Sequence, residues 1–319
     1  MDSDWDAIVV GGGPSGLSAA TWLGRYRRHT LLVDAGDHRN KAVEKAHGYL
    51  TRDPVSPREI LEAACRDLDR YSCVERLDGE VVSIEGECGG FDVTTADGTV
   101  RRALRVVLCT GVTDRFPEVD GFAEHYGASL FHCPSCDGYE ARERDVVVLG
   151  WGEHVAGFSL ELLDWARSVT IVTEGFDFEG DDRHWRALAD HGITVVEKDA
   201  VALVGGRGDL RGVRLDDGTE LPAQMAFFSI GHDPRRSLPD ALGCAVDEEG
   251  YVAVDEHGET SVEGVFAAGD LVPGYQLIQV AAAKGTTAGV GCAMSLRRDP
   301  PLEGRPERAP DVAEALDEV

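Results

Sequence analysis

Short apolar runs, separated by a glycine-rich turn and a helical pattern, open the chain. The run AIVV at residues 7–10 is continuously apolar, as expected for a strand buried on both faces of a parallel sheet. The turn GGGPSG at residues 11–16 follows, and then a helical segment. A second apolar run, TLLV at residues 30–33, ends at Asp34. This order predicts a βαβ unit of ordinary length.

Three glycines of this first turn have the GxGxxG spacing of dinucleotide-binding folds. Gly11 permits the tight turn, Gly13 lets the backbone approach a pyrophosphate, and Gly16 lets the helix pack closely on the strand. The helix N-terminus directs its N–H groups toward the diphosphate. Asp34, at the end of the second strand, is placed to accept hydrogen bonds from a ribose diol. The pattern therefore predicts a dinucleotide site.

A second unit of similar pattern begins near residue 145. The strand DVVVL at residues 145–149 leads to Gly150 and Gly152. After a helical segment, the strand VTIVT at residues 169–173 ends at Glu174. This order also predicts a Rossmann-like βαβ unit.

The second unit departs from the dinucleotide-binding pattern at two places. Val155 occupies the third glycine position, where a branched side chain should hold the helix and the strand apart. The acidic segment at residues 175–182 means that a 2′-phosphate meets no basic residue before Arg183. Two interpretations stay open: a weakened nicotinamide-nucleotide site, and a scaffold that binds no nucleotide.

Two of the eight cysteines, Cys133 and Cys136, form a CxxC motif. A lone CxxC in a reducing compartment indicates redox or metal chemistry. A vicinal dithiol exchanges two electrons by closing a disulfide, and flavin exchanges the same number. The alternatives are a zinc half-site, which needs two further ligands, or a pair of structural thiols. Either of the neighbouring His125 and His132 could tune the pair, but each is interpreted as a plain surface histidine, and no metal is expected.

The other six cysteines are isolated and are predicted to pack as small hydrophobic side chains: Cys65, Cys73, Cys88, Cys109, Cys244 and Cys292.

Composition narrows the classes of partner. The chain has 319 residues, of which 43% are hydrophobic, so it can bury substantial cores. Its 58 acidic and 31 basic residues give a net charge of -27, which disfavours nucleic acid and anionic membranes as partners. The acidic start lacks the basic and apolar regions of a signal peptide. We therefore expect a cytoplasmic protein without a membrane span.

Together these motifs resemble the low-molecular-weight thioredoxin reductases, which are FAD-dependent pyridine nucleotide-disulfide oxidoreductases of class II. The resemblance covers residues 5–296, with the motifs in the family's order and spacing. They are GGGPSG at 11–16, CTG at 109–111, CPSCDG at 133–138, GHDP at 231–234 and GVFAAGD at 264–270.

The resemblance implies a fold and a domain order. The expected fold is α/β, with two Rossmann-like (doubly wound, three-layer) nucleotide-binding domains, the second inserted in the first. Residues 1–114 and 234–298 would form the FAD-binding domain, and 115–233 the inserted pyridine-nucleotide-type domain that carries the CxxC. Residues 299–319, rich in proline and acidic residues, would be a tail.

The resemblance also assigns roles to individual residues. Cys136 would face the flavin, Cys133 would exchange with the external partner, and Asp137 would manage the thiol proton. Gly150, Gly152 and Glu174 are the candidate nicotinamide-binding residues. The residues expected to bind FAD are Gly11, Gly13, Pro14, Ser15, Gly16, Asp34, Thr110, Gly111, Gly269, Asp270 and Gln279.

Several positions depart from the typical reductase. TEG at 173–175 stands where typical members carry the arginines that bind the 2′-phosphate, and LI at 277–278 replaces Tyr-Arg. The choice between NADH and NADPH therefore stays open. The related dithiol oxidases also lack these arginines and pass electrons to oxygen, but they usually have His where Asp137 stands. The motif HGYLTRD at 47–53 resembles thioredoxin-reductase-like relatives more than the classical reductases.

The leading hypothesis is a thioredoxin reductase-like thiol–disulfide oxidoreductase with altered or lost NADPH use. Its partner would be a thioredoxin-like protein or a small dithiol or disulfide, and the family implies a homodimer. One alternative is an oxygen-using dithiol oxidase that forms disulfides in a small molecule or a protein. Another is a redox sensor that holds flavin without turnover.

Overall fold

A computed structural model describes residues 4–297, and the predicted tail at 299–319 lies outside the described residues. The strands of the described chain are β1 (Trp5–Val10), β2 (Thr30–Asp34), β3 (Val74–Asp78), β4 (Val81–Glu87), β5 (Gly90–Thr95), β6 (Val100–Leu108), β7 (Val112–Asp114), β8 (Leu130–Phe131), β9 (Asp145–Leu149), β10 (Ser168–Val172), β11 (Thr194–Val196), β12 (Ala200–Gly206), β13 (Asp209–Leu215), β14 (Glu220–Pro222), β15 (Met225–Phe228), β16 (His232–Pro234) and β17 (Val265–Ala267).

The helices of the described chain are α1 (Pro14–Arg25), α2 (Pro57–Leu68), α3 (Phe122–His125), α4 (Pro134–Asp137), α5 (His154–Leu162), α6 (Asp182–Asp190), α7 (Ser237–Leu242) and α8 (Ile278–Ser295). Two 3-10 turns, Gly138–Ala141 and Gly269–Leu271, follow the CxxC motif and β17 respectively.

The chain divides into two compact units. Within the described residues, the first contains 4–39, 58–113 and 234–297, and the second contains 40–57 and 114–233. Residues 40–57 belong to the expected first segment at 1–114, whereas their contacts group them with the second unit. No sequence motif indicates this grouping, because it depends on contacts made far along the chain.

The first unit is built on a mainly parallel sheet in which β1 is central. β1 pairs in parallel with β2 and β6, β2 with β3, and β6 with β17. β5 pairs in antiparallel with residues 100–103 of β6, and β4 pairs in antiparallel with β5, so the two strands extend the sheet at that edge. Ile8 lies opposite Leu31 and Val106 and is fully buried, as the continuous apolar run predicts. Burial of such a side chain contributes about 1.5–3 kcal/mol.

Glycines bring α8 into close contact with α1 on one face of this sheet. A Cβ added at Gly285 would lie 2.0 Å from the carbonyl oxygen of Ser15, and one at Gly289 would lie 2.6 Å from that of Ala19. Only residues without a side chain permit this approach. The helix after the GxGxxG turn is therefore held in place by a helix some 270 residues away.

The second unit has a five-stranded parallel sheet with the order β11-β10-β9-β15-β8. α5 connects β9 to β10, as the predicted βαβ unit requires. The antiparallel strands β12, β13 and β14 form a separate three-stranded sheet, and β16 pairs with β7. Among residues 4–297, no helix is both long enough and apolar enough to cross a membrane.

Candidate active site

The first glycine turn has the geometry that its sequence predicts. Gly11 has φ +103°, and a Cβ there would lie 2.4 Å from the carbonyl oxygen of Cys109. A Cβ at Gly16 would lie 1.8 Å from the carbonyl oxygen of Gly11, so helix and turn pack without room for a methyl group. A Cβ at Gly13, by contrast, would meet no described atom within 4 Å. The turn is thus closed on the protein side and open where a diphosphate would approach.

Asp34 stabilises this turn directly. Its Oδ1 accepts hydrogen bonds from the backbone N–H of Gly12 at 3.0 Å and of Gly36 at 3.2 Å. Gly12 was not among the predicted site residues, yet its Cβ would lie 2.4 Å from Asp34 Cγ. The side chain also lies 3.4 Å from His38 Nε2. An acid at the end of β2, beside a glycine turn at the start of α1, suits a ribose next to a diphosphate.

Thr110, Gly111 and Gly269, which are among the other predicted FAD residues, lie on turns that follow strands. Thr110 Oγ1 donates to the carbonyl oxygen of Arg235 at 2.9 Å, and Gly111 has φ +70°. Gly269 has φ +81°, and a Cβ there would lie 2.5 Å from Ser15 Oγ. These contacts bring together turns that are distant in sequence. Pro14 is the first residue of α1, and Gln279 is an exposed residue in the first turn of α8.

Asp270 has a charged partner that the sequence analysis missed. Arg39 Nη1 donates to Asp270 Oδ2 at 3.0 Å and to Gln276 Oε1 at 2.6 Å. Gln276 in turn donates to the hydroxyl of Tyr251 at 3.0 Å. An arginine in this network can pair with a phosphate as readily as with a carboxylate. No sequence signal identifies Arg39, because its partners lie more than 200 residues away.

Cys133 and Cys136 form a disulfide, with their Cα atoms 5.2 Å apart. Cys133 is the N-cap residue of the one-turn helix α4, and its carbonyl oxygen accepts from the N–H groups of Cys136 and Asp137. Pro134, the first residue of α4, needs no N–H partner. The local sequence thus folds into a turn that keeps the two sulfur atoms within bonding distance.

Asp137 is almost fully buried next to this disulfide, with 7% of its surface exposed. Burial raises the pKa of Asp137 to about 7, and the negative charge of Glu140 acts in the same direction. A carboxyl group with this pKa can both donate and accept a proton near neutral pH. The geometry therefore supplies a proton-exchanging group beside the pair.

The two histidines near the pair in sequence differ in their surroundings. His125 was interpreted as a surface residue, and this is wrong, since only 1% of it is exposed. Its Nδ1 lies 2.8 Å from Ser129 Oγ, and burial lowers its pKa. His132 is partly exposed, and its Nδ1 lies 3.3 Å from the hydroxyl of Tyr126.

The second glycine turn is occupied by the protein's own side chains. A Cβ at Gly150 would lie 2.9 Å from Val155 Cγ2, so the valine fills the space beside the turn. A Cβ at Gly152 would lie 2.6 Å from the His154 ring and 3.7 Å from Glu179 Oε2. His154 Nε2 lies 3.1 Å from the carbonyl oxygen of Ser229. An imidazole and a carboxylate therefore lie where a pyrophosphate would approach.

An aromatic pair lies at this turn, and a strained acid, Glu174, follows β10. The rings of Trp151 and Phe176 are 4.5 Å apart. Glu174 has φ +55°, and its Oε1 is buried with no hydrogen-bond partner among residues 4–297. Burial, and secondarily the charge of Asp199, raises the pKa of Glu174 to about 7. The candidate nicotinamide acid is thus poorly placed to carry a charge.

We expect Glu174→Gln to change how stability depends on pH. The folded-state pKa lies above the ordinary value of 4.5, so the stability gained by protonation is complete below pH 4.5 and is lost as the pH rises through about 7. The variant lacks this loss. Relative to the parent, it should gain about 1 kcal/mol between pH 5 and pH 8.5, after allowance for solvent screening. Urea unfolding of the FAD-loaded proteins at both pH values measures the gain.

Glu248→Gln, at an exposed position, is the matched control and should show no such change. A stability difference between Glu174→Gln and the parent that is the same at both pH values would contradict the raised pKa.

Comparisons with known proteins agree with these features. Residues 5–285 match the family described as pyridine nucleotide-disulphide oxidoreductase. A thioredoxin reductase of Gibberella zeae is 30% identical over 341 residues, which cover 92% of this chain and 98% of that protein.

Solved structures give the same result. An oxidoreductase from Agrobacterium tumefaciens is 33% identical, with a TM-score of 0.83, and the match covers 93% of this chain and 99% of that one. The structure of HlmI is 32% identical, with a TM-score of 0.88, and the match covers 100% and 98% of the two chains. The predicted fold class, two Rossmann-like α/β domains, is confirmed. The chain therefore belongs to the pyridine nucleotide-disulphide oxidoreductase family, as an FAD-dependent, thioredoxin reductase-like disulfide oxidoreductase.

Proposed function

We propose that this chain passes electrons between FAD and the Cys133–Cys136 pair, and that NADPH does not serve as its reductant. One observation supports the exclusion of NADPH as the reductant. The glycine turn of the second unit is covered by the His154 ring and by the Glu179 carboxylate. A pyrophosphate that entered this turn would have to displace the ring and would meet a like charge.

The loop after β10 also offers little to a 2′-phosphate. A phosphate of nearly two negative charges needs arginines that can form charge-assisted hydrogen bonds. Arg183 is the first basic residue after Glu174, and it already pairs with Asp181 at 2.9 Å. The segment between them is acidic. The loop therefore disfavours the 2′-phosphate that distinguishes NADPH from NADH.

In the proposed reaction, a thiolate of an external dithiol attacks Cys133 Sγ. A mixed disulfide forms, the Cys133–Cys136 bond breaks, and the bonding electron pair stays on Cys136 Sγ. The second thiolate of the external dithiol then attacks the external sulfur that is bonded to Cys133. This closes the external disulfide and releases the Cys133 thiolate. Two electrons and two protons leave the external dithiol: Asp137 takes one proton, and the other protonates the Cys133 thiolate as it is released. The reverse steps reduce an external disulfide.

FAD supplies the two-electron acceptor or donor for the pair when it is bound. The residues proposed to hold it are those of the first glycine turn, with Asp34 toward the ribose and Asp270 on the turn after β17. The glycine turn fits this group, because the position of Gly13 is open while those of Gly11 and Gly16 are closed by the backbone.

The external partner belongs to one of two classes. Relatives of this chain bear the name thioredoxin reductase, which favours a thioredoxin-like protein. A small dithiol or disulfide is the other class. The predicted homodimer and the cytoplasmic location stay predictions.

Anaerobic stopped-flow reduction of the flavin tests the proposal. We expect a dithiol to reduce the flavin, and NADPH to do so at least about 100-fold less efficiently in kcat/KM and no better than NADH. Because salt screens the acidic loop, the comparison belongs at both low and high ionic strength. A clear NADPH preference at low salt would show that the loop binds the phosphate after all.

The covered turn also favours a second candidate, since a flavin without nicotinamide needs another electron partner. An oxygen-using dithiol oxidase would convert a dithiol and O2 into a disulfide and H2O2, with two electrons and two protons transferred. Admitting air after reduction by a dithiol separates the two functions. Rapid reoxidation with one equivalent of H2O2 per flavin would favour the oxidase. Failure of every reductant would favour a sensor without turnover.

A further inference from the structure

Residues 40–57 bring a histidine close to the turn that follows the redox pair. His47 Nδ1 lies 3.7 Å from Glu140 Oε1 and 3.4 Å from Asp53 Oδ1. Glu140 follows Asp137 by three residues. The Asp53 side chain is 56% exposed, whereas that of Glu140 is 31% exposed. The imidazole therefore links a carboxylate next to the redox site with one at the surface.

The Glu140 carboxylate has one oxygen, Oε2, that is buried without a hydrogen-bond partner among the described residues. Its other oxygen faces His47. A buried carboxylate oxygen is stable only when a charge or a hydrogen bond lies near it, so the imidazole is the group that can balance Glu140. The same carboxylate adds to the raised pKa of Asp137.

We propose that His47 and Glu140 are positioning residues for Asp137: His47 anchors Glu140, and the charge that the two share sets how readily Asp137 exchanges the thiol proton of the redox pair. This inference rests on the proposed function, in which Asp137 takes a proton that the external dithiol releases and can pass it to the thiols of the redox pair. It gives the HGYLTRD motif at 47–53 a role in the reaction.

His47 and Glu140 act on Asp137 in opposite directions. Of the described charged groups, Asp53 and Glu140 face His47, and Glu140 acts on Asp137. A negative neighbour favours the protonated form of an acid, and a positive one offsets this. Loss of the Glu140 charge should therefore lower the pH at which Asp137 ionises. Loss of His47, the group that faces the Glu140 carboxylate at 3.7 Å, should raise it.

The test is the pH dependence of flavin reduction by dithiothreitol in the FAD-loaded enzyme, under anaerobic conditions between pH 5.5 and 9. Each rate is divided by that of Asp137→Asn at the same pH, because this ratio cancels the ionisation of dithiothreitol itself. We expect the midpoint of the ratio to move about one pH unit down in Glu140→Gln and about one unit up in His47→Gln. Opposite shifts are not expected from residues that only maintain the fold.

Glu161→Gln is the matched control. Glu161 accepts a hydrogen bond from Ser135 Oγ, between the two cysteines, at 3.1 Å, and its loss should leave the midpoint unchanged. Shifts in the same direction, or unmoved midpoints in both variants, would overturn the proposal. So would a ratio that does not vary with pH. If one variant fails to fold, the direction of the shift in the other decides.

A second measurement separates this inference from the proposed function. Infrared or NMR titration of the Asp137 carboxyl group in the same variants needs no electron transfer. Opposite shifts there would support the coupling even if the cysteines proved inactive. Absence of shifts there would overturn it even if the cysteines proved essential.

Discussion

Cys136→Ser and Cys133→Ser should each lower the rate of flavin reduction by a dithiol at least about 10³-fold, while FAD stays bound. Either change removes the disulfide that Cys133 and Cys136 form, so the pair can no longer take two electrons from an external dithiol. The first glycine turn and Asp34 lie in the other unit and are unchanged. Anaerobic stopped-flow absorbance measures the rate, and the protein-to-flavin absorbance ratio measures the FAD content.

Cys73→Ser is the matched control for these variants. Cys73 is partly exposed, its Sγ donates to the carbonyl oxygen of Gly24 at 3.5 Å, and burial raises its pKa, so it stays a thiol. A serine hydroxyl can keep that hydrogen bond, and we expect full activity. If Cys133→Ser or Cys136→Ser retained full activity, the pair would be structural, and the proposed function would be wrong.

The parts of the fold that sequence could predict are those in which neighbouring residues determine one another. The run at residues 7–10, the glycine turn and Asp34 are joined by a single βαβ unit, and the structure gives Asp34 a hydrogen bond to this turn. In the second unit, Val155 was expected to hold helix and strand apart. Its side chain is fully buried and lies beside Gly150, where an added Cβ would be 2.9 Å from Val155 Cγ2.

The parts that sequence could not predict depend on contacts across long separations. Arg39 and Asp270 are 231 residues apart, so no local pattern joins them. His47 and Glu140 are brought together only because residues 40–57 join the second unit. The sequence around a single arginine or histidine in a loop has no periodic pattern, so it does not indicate which residue the side chain contacts. Such pairs become visible only once tertiary contacts are known.

The isolated cysteines show the same limit. All six were predicted to pack as buried hydrophobic side chains. Three of them are buried, namely Cys109, Cys244 and Cys292, whereas Cys65, Cys73 and Cys88 are partly exposed. An apolar neighbourhood in sequence does not reveal whether another element covers the side chain in the folded chain.

Gly13→Ala should weaken FAD binding about 10- to 100-fold, or about 1.4–2.8 kcal/mol, while the protein without FAD folds as the parent does. Gly13 has φ −69°, which alanine adopts readily, and its added methyl group would meet no described atom within 4 Å. The fold should therefore tolerate the added methyl group. A bound diphosphate should not tolerate it, because this glycine is the one that lets the backbone approach the diphosphate.

Two further variants make this result specific to the cofactor. Gly157→Ala, in helix α5 of the second unit, adds a methyl group that likewise meets no described atom within 4 Å, and it should bind FAD as the parent does. Gly16→Ala places a methyl group 1.8 Å from the carbonyl oxygen of Gly11, so it should reduce folding stability as well as FAD binding. FAD fluorescence titration gives the Kd, and circular dichroism of the FAD-free proteins reports the fold. Unchanged FAD affinity in Gly13→Ala would mean that the diphosphate is not held by this turn, because the methyl group would then point into space that the cofactor does not use.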